Sequence, residues 1–282
     1  MKKNYFIFSL LSVAALLFFG CKTVQITDID PFGIIGDKAD VYVFMPVDGN
    51  EEFLDIILDQ KVEKSDLKTA LSRTKTISAG IFTSATNVVK KDESLICAEG
   101  NYPPSLTGFI FDEKNGWKKS TAANGVAYYS GGINAVSIPN TKNTLLALAS
   151  QPEETMYRFL ERAKNKTSPG FSEAFERFVE NPTKGTVGIF VKNPNFLFAR
   201  ILGTDLQLPL QGSEIFLKRQ KDGSYTYDFG IKTSNALTAF GVSLAVRAAL
   251  NAEVTLDGNT VQVKNGKLPK TQLSDMLKKL LP

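Results

Sequence analysis

Asp40-Val41-Tyr42-Val43-Phe44-Met45 and Thr186-Val187-Gly188-Ile189-Phe190-Val191 decide the fold. Each is a short apolar run rich in β-branched and aromatic residues, the composition of a buried strand. Each is followed by an Asn and then by Phe-Leu: Asn50 with Phe53-Leu54, and Asn195 with Phe196-Leu197. The two runs therefore read as the opening strands of two similar halves.

In the first half, a helix carrying Phe53, Ile56 and Ile57 follows the opening strand, and a short helix capped by Ser65 presents Leu67, Ala70 and Leu71 on one face. Strands are expected over 76–82 and 94–98. Pro103-Pro104-Ser105 opens a helix through Leu106, Phe109 and Ile110 that stops near Asn115-Gly116. Strands over 126–129 and 134–138 flank the hairpin signal Ser130-Gly131-Gly132, and another covers 144–149. Pro152 starts a helix with Met156, Phe159, Leu160 and Ala163 inward. Ser168-Pro169 starts a further helix with Phe171, Phe175 and Phe178 inward, closed at Asn181-Pro182.

The second half repeats this order in a shorter form. Strands over 215–219 and 225–231 turn at Asp222-Gly223, and Tyr225, Tyr227, Phe229 and Ile231 alternate onto one face. A long apolar helix runs from about 235 to 250. A hairpin over 253–256 and 261–263 turns at Asp257-Gly258-Asn259, and a last helix follows Pro269 with Leu273, Met276, Leu277 and Leu280. The core of each half reads βαββαβ, the split-βαβ motif. The expected class is α+β: two similar halves, each an antiparallel sheet with helices packed on it. The expected division is a signal peptide over 1–20, a lipidated tether over 21–38, a first half over 39–165, a helical connection over 166–184 and a second half over 185–282.

The chain has 282 residues, 43% hydrophobic and 22% charged, which are globular proportions. It contains no His. That removes Ser-His-Asp and Cys-His catalysis, His-ligated metals and the simplest pH switch. Lys and Arg number 33 against 29 acids, a balance of 33 − 29 = +4. No basic run reaches five residues, so nucleic acid is not an expected partner.

The N-terminus is more specific. Lys2 and Lys3 precede an uncharged, mostly apolar run from Tyr5 to Phe19, which ends at Gly20-Cys21-Lys22. The run is shorter than the roughly 20 residues of a membrane-spanning helix. Charged start, apolar centre and small residue before the cut have the layout of a secretory signal. An uncleaved signal anchor is the competing reading, against which charge, length and Cys placement agree. Removing residues 1–20 takes away Lys2 and Lys3 and no acid, leaving 31 − 29 = +2.

Leu17-Phe18-Phe19-Gly20-Cys21 resembles the lipobox of a bacterial lipoprotein, in relaxed form because Phe18 stands where Leu is usual. The resemblance implies cleavage before Cys21, a thioether-linked diacylglycerol on Cys21 and an amide-linked third chain such as palmitate. The protein would then be held to the membrane through the lipid on Cys21, each buried methylene contributing about 0.8 kcal/mol. By the sorting pattern of well-studied lipoproteins, Lys22 rather than Asp after the lipidated residue implies the outer membrane over the inner.

Within the body, Gly100-Asn101-Tyr102-Pro103-Pro104, Gly116-Trp117, Tyr128-Tyr129 and Ser137-Ile138-Pro139 form a layout similar to that of uncharacterised exported bacterial lipoproteins, over about residues 40–165. That resemblance implies no catalytic or ligand residue. Trp117 is expected to plug the gap between the helix at 103–110 and the sheet.

No nucleophile elbow, phosphate-binding Gly loop, CxxC pair or EF-hand loop is present. Glu153-Glu154 read as acids at the positive end of a helix. Ser72-Arg73-Thr74-Lys75, and Ser120 beside Lys118-Lys119, lack the spacing of a Ser–Lys hydrolase. Asp37 and Asp40 have no third ligand near them for calcium. Cys97, alone once Cys21 is lipidated, reads as a buried core residue. The stripe Phe171, Phe175, Phe178 reads as core. Arg247 interrupts the apolar helix and either snorkels to the surface or pairs with a carboxylate.

These readings predict no catalytic residue, no metal and no cofactor, and lipidation of Cys21. The leading functional expectation is a lipid-anchored cell-envelope protein with a non-catalytic binding or structural role, with an envelope protein as possible partner. The alternatives are a periplasm-facing carrier for a lipid or small apolar ligand and, behind that, a His-independent hydrolase.

Overall fold

The structure, a computed structural model, describes residues 30–58, 71–82, 93–102, 111–122, 125–132, 134–139, 145–149, 156, 158–160, 169–195, 207–250 and 252–280. Helix α1 (Pro31–Ile35) leads into β1 (Val41–Pro46), α2 (Glu51–Leu58), β2 (Thr74–Phe82) and β3 (Glu93–Gly100). A 3-10 turn at Glu113–Asn115 precedes β4 (Lys118–Thr121), β5 (Ala127–Gly131), β6 (Asn134–Ser137) and β7 (Leu145–Ala149). Then come α3 (Glu173–Glu180), β8 (Thr186–Val191), β9 (Leu210–Arg219), β10 (Tyr225–Thr233) and α4 (Ala236–Leu250). The chain continues through β11 (Val254–Asp257), β12 (Thr260–Leu268) and α5 (Lys270–Leu280).

All of these strands join one 12-stranded sheet in the order β11-β12-β10-β9-β8-β1-β2-β3-β7-β6-β5-β4. Every neighbouring pair is antiparallel. The two opening strands meet at the centre, where Val41 to Phe44 pair with Val191 to Gly188. Outward from that seam the halves share an order. The first three strands lie side by side, and the last strand of each half returns beside the third, β7 beside β3 and β12 beside β10. The fold is therefore α+β with two similar antiparallel halves.

Period-2 alternation gives the two sheet faces separate cores. Tyr42 and Phe44 of β1 join Phe190, α1 and the rings of α3 in one core. Met45 of β1, with Val187, α2, α4 and α5, belongs to the other. Gly188 is what lets α3 approach so closely. A Cβ there would lie 2.6 Å from the Phe178 ring and 3.2 Å from Phe175. Asn50 stitches the seam. It is fully buried, accepts the first helical bond of α2 at its backbone oxygen, and its Nδ2 donates to the Pro46 oxygen at 2.9 Å and to the Thr186 oxygen at 3.1 Å.

Several boundaries differ from expectation. The packed body already includes Pro31–Ile35, upstream of the expected start near residue 39. Asp30 caps α1 by accepting from the Phe32 amide at 3.1 Å, Pro31 supplies its first turn, and Phe32, Ile34 and Ile35 are buried. Tyr42 donates to the Gly36 oxygen at 2.8 Å and so fastens the exit of α1 to β1. Residues 31–38 are thus part of the body rather than tether. Helix α3 starts at Glu173 behind the cap Ser172, not at Ser168-Pro169, because the chain turns at Gly170 with φ +71°. Strand β4 had no apolar signal and forms by pairing with β5. The signal peptide, Cys21, the helix expected over 103–110, the helix capped by Ser65 and Glu153-Glu154 lie outside the described residues.

Candidate functional site

The helix α4 lies on the sheet face that carries Val261 and Val263 and buries Ala239, Val242 and Val246 there. Its outward face is also apolar. Leu237 is 83% exposed, Phe240 55% and Leu244 50%. Ala236, Gly241 and Ala248 are exposed beside them. A surface helix ordinarily turns polar residues outward, so one that is apolar all round implies cover on both sides. Its Ser243 hydroxyl is buried and donates to the Phe240 oxygen at 2.7 Å, adding no polarity to the surface. The lone charge, Arg247, is exposed and turns its guanidinium back to donate to the Val254 oxygen at 2.9 Å. Among the described residues no buried acid pairs with it, and it does not interrupt the apolar patch at its centre. Leu256 is 45% exposed and lies two residues after buried Val254, hence on the α4 side of the sheet. Among the described residues no helix is long and apolar enough to cross a membrane.

At the C-terminal end of α4, a cleft of about 590 Å³ opens between Leu250 and Ala252 on one side and Pro269 and Gln272 of α5 on the other. Tyr227 and Gly266 form part of its wall.

The other residues singled out from sequence are structural here. Cys97 is fully buried, its Sγ 3.8 Å from the Pro31 oxygen, and burial pushes its thiol well above the ordinary 9.0. Such a thiol stays protonated and unreactive. Phe175 and Phe178 are core, and Phe171 packs edge-on to Phe32 at 4.9 Å and Tyr42 at 5.1 Å. Trp117 covers Gly131 and meets Phe111 at 4.7 Å, closing the β5 end of the sheet. On β4, Lys119 points to the face opposite Ser120, while Lys118 shares the face of Ser120. Among the described residues no three acidic or thiol groups converge as a metal site, Asp37 and Asp40 included.

Sequence reasoning singled out the apolar α4 pattern and its Arg247, but not the bare outer face. The available signal was a helix with apolar residues at every angular position and one charge in fifteen residues.

Residues 27–274 match the family model described as outer membrane-associated lipoprotein TP0453. The chain is 27% identical over 254 residues to outer membrane protein TP0453 of Treponema pallidum (strain Nichols), covering 89% of this chain and 86% of that protein. Its fold is similar to two crystal forms of TP0453. Form III gives a TM-score of 0.74 at 26% identity, covering 90% of this chain and 99% of that one. Form I gives 0.73 at 26% identity with the same coverage.

Proposed function

The chain belongs to the TP0453 family of outer membrane-associated lipoproteins, and from that premise we propose that it is a non-catalytic protein anchored by acyl chains on Cys21 and seated on the lipid leaflet by the outer face of α4. The observation that carries this reading is the exposure of Leu237, Phe240 and Leu244 on a single helix face. Burying a large apolar side chain contributes about 1.5–3 kcal/mol, so three exposed ones favour an apolar neighbour. A helix of this kind lies in the interface plane with its apolar side among the acyl chains.

The anchor supports the choice of a leaflet as that neighbour. Cys21 and Asp30 are separated by nine positions. Even fully extended, such a segment reaches only about 30 Å. An acylated chain therefore keeps the body close to the bilayer, where encounter with lipid far outweighs encounter with a dilute protein partner.

Two measurements test this. Metabolic palmitate labelling marks the wild-type chain and leaves a Cys21→Ala variant unmarked. The unlipidated Cys21→Ala chain still co-floats with phospholipid vesicles through α4. Unlabelled wild type removes the anchor, and failure of the variant to float removes the α4 contact.

A further inference from the structure

The sheet ends in two edges of opposite charge. At one end of the strand order lies β4, Lys118-Lys119-Ser120-Thr121, with both lysines exposed and no acid. At the other lies β11, Val254-Thr255-Leu256-Asp257, with Asp257 exposed, Glu253 exposed just before it and no base. Among the described residues no strand covers either edge. One hydrogen bond beside each edge fixes which backbone groups face out. The Ala122 amide donates to the Val126 oxygen at 2.9 Å, continuing the register of β4 and β5, so Ala122 turns its backbone toward β5. Alternation then turns the N–H and C=O groups of Lys119 and Thr121 outward. On β11 the Val254 oxygen accepts from Arg247 at 2.9 Å, outside the ladder with β12, so Val254 and Leu256 turn outward.

The side chains agree with that phase. Ser120 lies opposite Tyr128, which belongs to the core of Tyr42, so Lys118 and Ser120 share that face of the sheet. Val254 belongs to the other core, which leaves Thr255 and Asp257 on the face of Lys118 and Ser120. Twelve strands with every neighbouring pair antiparallel make β4 and β11 run in opposite directions. A second copy moved across the sheet, following its twist and not turned over, therefore sets its β11 antiparallel to β4. Lys119 then faces Leu256 and Thr121 faces Val254 as hydrogen-bonded pairs. Between them Lys118 faces Asp257 and Ser120 faces Thr255. A one-residue slip mismatches the faces, and a two-residue slip parts Lys118 from Asp257.

We propose that β4 of one copy pairs with β11 of a second, joining their sheets head to tail. Charges on an edge strand ordinarily repel any added strand. Here the signs differ, so they bar only the like pairings. Strand β4 against β4 crowds lysine on lysine, and β11 against β11 brings Asp257 beside the Glu253 of its copy. The unlike pairing places Lys118 on Asp257 and lays the Lys119 stem beside Leu256, whose side chain is 45% exposed. The Val254 oxygen keeps a second lone pair for the Thr121 amide beside its bond to Arg247. The contact is heterologous: each joined pair keeps one basic and one acidic edge and adds further copies by the same step.

Four residues a side make a weak, transient contact, which disulfide trapping accumulates. The test uses full chains carrying Cys21→Ala in solution, where buried Cys97 is the remaining natural thiol. Ser120→Cys chains are mixed with Thr255→Cys chains under mild oxidation. In the proposed register these positions form a non-hydrogen-bonded pair with Cα atoms about 4.5 Å apart, within disulfide reach. The mixed crosslink is expected about tenfold faster than that between Lys119→Cys and Thr255→Cys chains, whose side chains lie on opposite faces. Adding Lys118→Glu to the Ser120→Cys chain slows trapping about tenfold, and adding Asp257→Lys to the Thr255→Cys chain restores it, a rescue that misfolding of either chain does not give. Equal rates from positions 119 and 120, a rate indifferent to Lys118→Glu, or self-trapping of Ser120→Cys chains as fast as the mixture overturns the pairing. In intact cells, a Thr255→Cys chain trapped by a different envelope protein and not by Ser120→Cys chains gives the edge to that protein and overturns it too. Neither lipid nor bilayer takes part in the solution test, so its failure leaves the leaflet reading standing.

Discussion

Arg247 donates from its guanidinium to the backbone oxygen of Val254 at 2.9 Å, so the one charge of α4 is spent on the neighbouring strand. What remains outward is Leu237, Phe240 and Leu244, more than half of each large side chain or close to it in solvent. Replacing all three by Gln is expected to cost the fold little, because exposed positions away from caps and pairs shift stability by about 0.5 kcal/mol or less. Vesicle partitioning of the Cys21→Ala chain should fall roughly a hundredfold, corresponding to about 3 kcal/mol of lost apolar transfer. Flotation against lipid concentration, with a parallel denaturation curve, separates the two effects.

A methyl group at Gly188 collides with Phe178 at 2.6 Å. Gly188→Ala is expected to destabilise by about 1–3 kcal/mol, the usual cost of overpacking a dense core. The double variant Gly188→Ala, Phe178→Leu should recover part of this loss. A double-mutant cycle by urea denaturation measures the recovery.

Asn50→Ala removes both donors to the Pro46 and Thr186 oxygens and leaves those two carbonyls without them. The expected loss is about 2 kcal/mol, read as a lower denaturation midpoint. Because the Asn50 Oδ1 has no partner in the fold, Asn50→Asp adds a buried charge without relieving anything and should cost more.

Glu52 ties three elements together. It accepts from Lys270 of α5 and from Arg219 of β9, whose Nη2 lies 2.7 Å away. The Lys270 hydrogen bond, aided by Arg219, holds its carboxyl below the ordinary 4.5. A carboxyl depressed in the folded state contributes stability that is complete above its unfolded value and is lost as pH falls through the folded value. Glu52→Gln should therefore destabilise by about 1 kcal/mol or less at pH 7, as a largely exposed pair does. The difference from wild type should vanish as pH falls below 4.5 toward 3. Parallel urea titrations at several pH values check the trend.

The sequence exposed those parts of the fold that depend on local pattern. The apolar runs at 41–45 and 186–191, the alternation Tyr225, Tyr227, Phe229, Ile231 and the breaks at Asp222-Gly223 and Pro269 all signal through neighbours in the chain. What it hid depends on distant partners. Pro31–Ile35 is too short to show helical periodicity, and its burial comes from packing across β2 and β3. Lys118–Thr121 is polar throughout and becomes a strand because β5 offers an edge. Ser168 and Ser172 are both credible caps, and only the turn at Gly170 chooses between them.

The same division holds for the site. Apolar character all round α4 is visible along the chain, but which side stays bare is decided by the register of β11 and β12 beneath it. Tyr227 reads as one more inward aromatic in its strand. Its close cover of Gly266 depends on the cross-strand pairing of β10 with β12, which no spacing rule announces.

Strand β1 sends Tyr42 and Phe44 into one core and Met45 into the other, while β8 does the same with Phe190 and Val187. Neither half owns a complete interior, since pulling either central strand away strips packing from both faces at once. The two repeats are thus bound into a single cooperative unit, melting together in one calorimetric transition rather than as independently foldable modules.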